Sequence, residues 1–139
     1  NIANFIKCLL KKNGLFIFAS YDGKAIINIL KKYNNNYIIK KDNNIKYHIK
    51  ANFKELKLTN KSKSQQIEVK LPFSDDYQKE YLVNITTIKK IFNKLNFELV
   101  DSNSFSVFLN DYKYNKEKKL DKFDIEYISL YHYYIFKLH

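Results

Sequence analysis

Glycine is scarce in this chain: only Gly14 and Gly23 occur among 139 residues, where average usage predicts about ten. That excludes a GxGxxG or P-loop phosphate cradle, which needs several glycines together so that backbone can approach a ligand closely. Cysteine occurs once, as Cys8, so no internal disulfide forms and a reducing compartment suits the chain. Arginine and methionine are absent, and Pro72 is the only proline. The three histidines, His48, His132 and His139, are scattered, and with one cysteine they make no zinc-ligand spacing, so no metal site is expected. No apolar run approaches the roughly 18 to 20 residues of a membrane span, and no signal-peptide pattern opens the chain. A soluble intracellular protein without a membrane partner is expected.

What is present is a core-forming composition, 45% hydrophobic and 17% aromatic, enough for one domain or part of one. The basic charge is all lysine, 25 residues against 14 acidic ones for a formal net charge of +11. Such an excess favours an anionic partner such as nucleic acid. Heavy use of Lys, Asn, Ile and Tyr also follows from AT-rich coding, so the charge alone leaves both readings open.

Ile2, Phe5, Ile6, Leu9 and Leu10 recur at helical spacing, ahead of a C-cap pair at Asn13-Gly14. Leu15 to Ala19 is continuously apolar, which suggests a strand buried on both faces as in a parallel sheet. After a turn at Ser20 to Gly23, a second helix carries Ala25, Ile26, Ile29 and Leu30. Helix, buried strand and helix are the grammar of an α/β domain. Tyr37 to Lys40, Ile45 to Lys50, Phe53 to Leu58 and Gln66 to Phe73 then alternate apolar with polar residues, the pattern of antiparallel strands with one wet face. Asn34 to Asn36 and Asp42 to Asn44 are the expected turns, and Lys61 to Gln66 is an expected loop. Asn84 suits the N-cap of a helix bearing Ile85, Ile88, Ile91, Phe92 and Leu95. Phe97 to Val100 reads as a short strand and Ser104 as the start of a helical stretch with Phe105, Phe108 and Leu109. Tyr114 to Lys122 reads as a charged loop, and Ile125 and Ile128 lead into a last strand over Tyr131 to Leu138. The chain opens in mid-helix and has no methionine, so it is expected to be the second half of a doubly wound domain. Residues 1–33 would supply helix, strand and helix of the α/β body, 34–73 a β-rich insertion, and 74–139 the C-terminal helices and strands.

Catalytic constellations are absent. Asp75-Asp76 beside Pro72 reads as a solvated pair, and no Gly-x-Ser-x-Gly elbow surrounds Ser20. The segment Glu80-Tyr81-Leu82-Val83-Asn84 is the most distinctive: it sets a carboxylate at the edge of an apolar run in a basic chain, just ahead of a helix.

Gly14-Leu15-Phe16-Ile17-Phe18-Ala19-Ser20, Leu71-Pro72-Phe73, Glu80-Tyr81-Leu82-Val83-Asn84 and Ser129-Leu130-Tyr131-His132-Tyr133-Tyr134-Ile135-Phe136 occur in an order that resembles the C-terminal half of the mRNA cap guanine-N7 methyltransferases. The likeness is strongest to the viral capping-enzyme domains of large DNA viruses, and it runs through nearly the whole chain, loosely over Tyr33 to Gln66. It implies a class I, Rossmann-like S-adenosylmethionine-dependent methyltransferase fold with an inserted antiparallel β region. It further implies transfer of methyl to guanine N7 of the 5′ cap of RNA. Glu80 matches the glutamate that meets the guanine edge, and Tyr131 the tyrosine lining the cap pocket near the C-terminus. The chemistry agrees with both roles. Guanine offers N1–H and its exocyclic amine as adjacent donors, which a carboxylate accepts with charge-assisted bonds. A tyrosine ring packs on the base and gains when the methylated product becomes cationic. N7 carries a free lone pair at neutral pH, so the displacement needs alignment and a suitable electrostatic pocket but no general base.

The family's Thr-Pro after its first strand is Ser20-Tyr21 here, which makes Tyr21 a candidate cap contact, and Phe73 is a candidate pocket wall. The family's glycine-rich cofactor motif has no counterpart from Asn1 onward, so the main contacts to S-adenosylmethionine are expected upstream, and the chain is expected to be inactive alone. The expected partners are capped RNA, the preceding capping-enzyme domains or a stimulatory subunit. The expected location is the host cytoplasm or virion for a viral protein, and the nucleus for a cellular one. Two other classes stay open: a non-catalytic stimulatory module with a degenerate methyltransferase fold, and a plain RNA-binding domain using lysines and tyrosines.

Overall fold

The structure, a computed structural model, describes residues 2–60, 65–112 and 120–139. Most of the two expected loops at 61–66 and 114–122, together with Asn1, lies outside the described residues. The elements are α1 (Ile2–Leu9), β1 (Leu15–Tyr21), α2 (Gly23–Lys32), β2 (Asn36–Lys41), β3 (Asn44–Ala51), β4 (Gln66–Lys70) and β5 (Gln78–Tyr81). They continue as α3 (Ile85–Asn93), β6 (Phe97–Ser104), a 3-10 turn (Phe105–Phe108), α4 (Leu109–Tyr112), α5 (Lys122–Ile128) and β7 (Tyr131–Leu138). The chain is mixed α/β, as expected. It forms two compact units, Asn1–Ser20 with Ile85–His139, and Tyr21–Asn84. These boundaries differ from those read off the sequence: α2 and β5 both belong to the unit that holds the β-rich insertion.

In the first unit the strand order is β1-β7-β6. β6 pairs with β7 antiparallel, from Phe97 opposite Leu138 to Ser104 opposite His132. The start of β1 meets the end of β7, where Asn13 N–H donates to the Leu138 carbonyl at 2.7 Å and Leu138 N–H to Gly14 at 3.0 Å. β7 is therefore antiparallel to both neighbours. One face of this sheet carries the core. Phe16 stacks on Phe92 at 5.7 Å, Phe18 on Tyr134 at 5.0 Å, and Phe92 lies 4.7 Å from Phe136. Such ring pairs add about 0.5–1.5 kcal/mol each beyond the area they bury. Ala3, Ile6 and Leu10 of the N-terminal segment and Ile85 and Ile88 of α3 pack against this cluster.

Two expectations change here. β1 is not buried on both faces, because Leu15 and Ile17 are 52% and 59% exposed while Phe16 and Phe18 point into the core. The apolar run is a strand at the edge of an antiparallel sheet with one covered face, not a parallel-sheet interior strand. Nor does Gly14 supply a left-handed cap. α1 stops at Leu9, and Asn13 takes the positive φ of 66°. The expected apolar stripe of α1 is divided, with Ala3 and Ile6 inward and Ile2, Phe5 and Leu9 exposed.

The second unit is a four-stranded antiparallel sheet, β2-β3-β4-β5, with α2 packed against β2 and β3. Asp42 and Asn43 adopt φ of 51° and 64° between the paired Lys41 and Asn44. This is the type I′ geometry that a two-residue hairpin prefers. Asp22 caps α2, its carboxylate accepting from Ala25 N–H at 2.8 Å. The ends of the unit meet where Gly23 N–H donates to the Val83 carbonyl at 3.0 Å. A Cβ on Gly23 would lie 2.4 Å from that oxygen, so only glycine fits.

Phe53 to Leu58 is not a strand. The buried Gln65 instead fixes the end of the segment: its amide donates to the Lys57 carbonyl at 2.8 Å and accepts from Thr59 N–H at 2.8 Å. The segment leading to β7 holds a helix, α5, started by a capping box in which Asp121 accepts from Asp124 N–H and the Asp124 side chain accepts from Asp121 N–H. Among the described residues, no helix is long and apolar enough to cross a membrane.

Phe136 is fully buried and Phe5 is not. Phe136→Ala should lower unfolding free energy by about 3–5 kcal/mol, and Phe5→Ala by no more than about 0.5 kcal/mol, measured by denaturant unfolding.

Candidate functional site

The register of the four-stranded sheet decides where each polar side chain points. Directly paired residues share a face, and successive residues alternate. Ile49 pairs with Val69, Val69 with Gln78 and Ile67 with Glu80. Ile49, Ile67 and Val69 are buried, so Glu80 projects from the apolar face of the sheet. It is half-buried there, and burial pushes its carboxyl pKa above the usual range. Among the described residues nothing donates a hydrogen bond or offers a cation to it. A carboxylate held against an apolar wall without a partner is costly, and a ligand bearing a pair of donors would relieve that cost.

The opposite face is polar and basic. Lys50, Glu68, Lys70 and Lys79 alternate with the inward residues, and Lys50 bonds Glu68 at 2.8 Å. That bond holds the Lys50 pKa up and, with Asn52, the Glu68 pKa down. His48 is buried among them. Its Nε2 lies 2.6 Å from Asn36 Oδ1 and its Nδ1 2.6 Å from the Tyr77 hydroxyl. Asn36 Oδ1 accepts only, so in the neutral ring Nε2–H donates to it and Nδ1 accepts from Tyr77. Burial, then the nearby Lys50, lowers the His48 pKa. Among the described residues no cluster of His, Cys, Asp and Glu is arranged to hold a metal ion.

The four residues singled out in the sequence are distributed over both units. Glu80, Tyr21 and Phe73 belong to the second, and Tyr131 to the first. Tyr131 starts β7 half-buried, edge-on to Tyr127 at 5.9 Å and Phe105 at 6.5 Å. Tyr21 is core, 3% exposed, whereas Phe73 is 85% exposed. The Tyr77–His48–Asn36 chain was not foreseen. Its members are far apart in sequence, and only strand register joins them.

In sequence, 127 residues are 32% identical to mRNA-capping enzymes of African swine fever virus, from a South African tick isolate, a Namibian warthog isolate and the Vero-adapted Badajoz strain. The chain is a homologue of one stretch of viral mRNA-capping enzymes. The match covers 88% of this chain and 14% of each relative. No family model matches. Among solved structures, a S-adenosylmethionine-dependent methyltransferase from Clostridium acetobutylicum is similar, with a TM-score of 0.47 and 17% identity over 99% of this chain and 50% of that one.

Two stability effects follow from the electrostatics. His48 is disfavoured as a cation in the fold, so the unfolded chain, with a pKa near 6.5, binds the proton better. The contribution of His48 is therefore complete above about pH 6.5 and lost as pH falls below it. The unfolding midpoint should drop on acidification, and His48→Gln should flatten that dependence. Glu80 has the opposite sign, since its raised pKa favours the fold at pH below the ordinary glutamate value of about 4.3, and that gain is lost as pH rises. At neutral pH, Glu80→Gln should leave thermal stability equal or higher; a clear loss would assign Glu80 a structural role.

Proposed function

We propose that this chain carries the guanine-reading part of a viral-type mRNA cap (guanine-N7) methyltransferase, acting on the 5′ cap of RNA with S-adenosylmethionine as methyl donor. The observation that carries the reading is Glu80: a half-buried carboxylate on an apolar sheet face, without a partner among the described residues. A carboxylate kept in that setting is matched by guanine, whose N1–H and exocyclic amine form two charge-assisted bonds to it. Adenine lacks that donor pair and would leave the charge buried and unmatched. Two further facts support the reading. The element order strand, helix, β insertion, Glu80 segment, helix, strand and terminal tyrosine-bearing strand is the order the resemblance implies, and the relatives are mRNA-capping enzymes.

The roles of side chains in this reading are few. Glu80 selects and orients the base by its donor edge. No proton is removed from N7, so neither unit needs a general base at the reacting atom.

The methyl donor is a different matter. Neither glycine opens a cradle for it: at Gly23 the space is filled by the Val83 carbonyl, and at Gly14 by the Lys11 carbonyl, 2.8 Å from where a Cβ would stand. The main donor contacts in this reading therefore come from other parts of a longer enzyme. Capped RNA is the proposed substrate, and other capping domains or a stimulatory subunit are the proposed partners.

In the complete enzyme, Glu80→Ala should reduce methyl transfer to capped RNA by about 5- to 150-fold, the equivalent of roughly 1–3 kcal/mol. Glu80→Gln, which cannot accept both donors as an anion, should fall short as well. Unchanged transfer in both variants rejects the guanine role and leaves a non-catalytic RNA-binding or stimulatory module.

A further inference from the structure

The polar face of the four-stranded sheet carries a tyrosine and three lysines that the guanine reading does not use. Tyr77 lies 41% exposed beside this face in an ordered setting. Its hydroxyl is held by His48, which is buried and bonded in turn to Asn36, and the rings of His48 and Tyr77 meet edge to face at 5.3 Å. The ammonium groups of Lys50 and Lys70 stand 5.9 and 5.8 Å from the Tyr77 ring centre. Lys70 also donates to the Asp75 carbonyl at 3.2 Å, which ties down the turn that delivers Tyr77. Lys79 comes from β5, opposite Glu68. The acidic groups nearby are Glu68, already bonded to Lys50 and Asn52, and the exposed Asp75 and Asp76.

We propose that this face is a track for single-stranded RNA, with Tyr77 as a stacking platform for one base and Lys50, Lys70 and Lys79 as contacts to the flanking phosphates. An aromatic ring set among cations is what a sequence-tolerant strand binder needs, because every base has a π-face and every linkage a negative charge. The inference deepens the capping reading and rests on it for the identity of the strand. β5 is an edge strand, and Glu80 and Lys79 are consecutive residues on its two faces. A strand whose first base meets Glu80 thus passes over the β5 edge to reach Lys79 and then Tyr77. His48 acts as a positioning residue, since it fixes the platform through the tyrosine hydroxyl and touches no base itself.

The test uses the complete enzyme and two probes: an uncapped single-stranded RNA of about ten nucleotides, and a capped dinucleotide too short to reach the track. Tyr77→Leu should weaken binding of the uncapped RNA about 5- to 150-fold, and Tyr77→Phe, which keeps the ring, should bind far better than Tyr77→Leu. Joint replacement of Lys70 and Lys79 by Gln should lower the slope of log affinity against log salt by about 1.4. Binding of the capped dinucleotide should be unaffected by these changes. Glu80→Ala should behave in the reverse way, losing the dinucleotide and keeping the uncapped RNA, so failure of the guanine reading and failure of the track are separable. Unchanged RNA affinity and salt slope in the Tyr77 and lysine variants would overturn the proposal. So would equal losses in Tyr77→Phe and Tyr77→Leu, or an effect seen only on association with a protein partner.

Discussion

A close backbone approach ties the two ends of the second unit together. The chain leaves β1 at Tyr21, makes a long excursion through α2 and four strands, and returns at Val83, where the Gly23 N–H meets the Val83 carbonyl at 3.0 Å. Asp22 and Val83 form a parallel bridge at the same place. Because the two ends are tied to each other, the closure of the excursion does not depend on the details of its interior. This explains where one of the two glycines went. Gly23 is not a ligand cradle but a position where the backbone must approach another backbone too closely for a Cβ. The contact also fixes the end of the segment whose strand carries Glu80, only three residues before Val83.

The sheet that hangs from this closure is asymmetric by construction. Strand alternation puts Glu80 against Ile67 on one face and Lys79 against Glu68 on the other. The first setting raises the carboxyl pKa by burial; the second surrounds a carboxylate with lysines and lowers it. Two acids on neighbouring strands of one sheet are thus driven in opposite directions by which face they occupy. Among the described residues Glu68 is bonded to Lys50 and Asn52, whereas no hydrogen bond or ion pair offsets the burial of Glu80.

Much of this was legible in the sequence, for physical reasons that can be named. The hairpin at Asp42-Asn43 and the alternation through β2, β3 and β4 are local: turn chemistry and a period of two are written in adjacent residues. Asparagine and aspartate hold every described left-handed position, at Asn13, Asn34, Asn35, Asp42, Asn43 and Asn96, so a chain poor in glycine still turns tightly. The failures are nonlocal. The run Leu15 to Ala19 looks the same whether one face or two are covered, and only its partner strands decide. Phe53 to Leu58 alternates like a strand but forms none: Lys57 N–H turns back to the Glu55 carbonyl, and the Lys57 carbonyl accepts from the side chain of Gln65. The capping box at Asp121 and Asp124 is a local signal, three residues apart, for the start of α5. Glu80 stood out from its place in the sequence. Its apolar surroundings, and the Asn36–His48–Tyr77 chain formed elsewhere on the sheet, depend on a register that no short window contains.

The divided stripe of α1 and the outer side of β1 have a colloidal consequence. Ile2, Phe5, Leu9, Leu15 and Ile17 expose large apolar side chains within a short length of chain, and β1 lies at the edge of its sheet. An edge of this kind accepts a further strand, from elsewhere in a longer chain or from another molecule. Self-repulsion among molecules of net charge +11 opposes that approach, over a range of about 8 Å at physiological salt. The lysine excess of this stretch therefore also opposes self-association through the β1 edge.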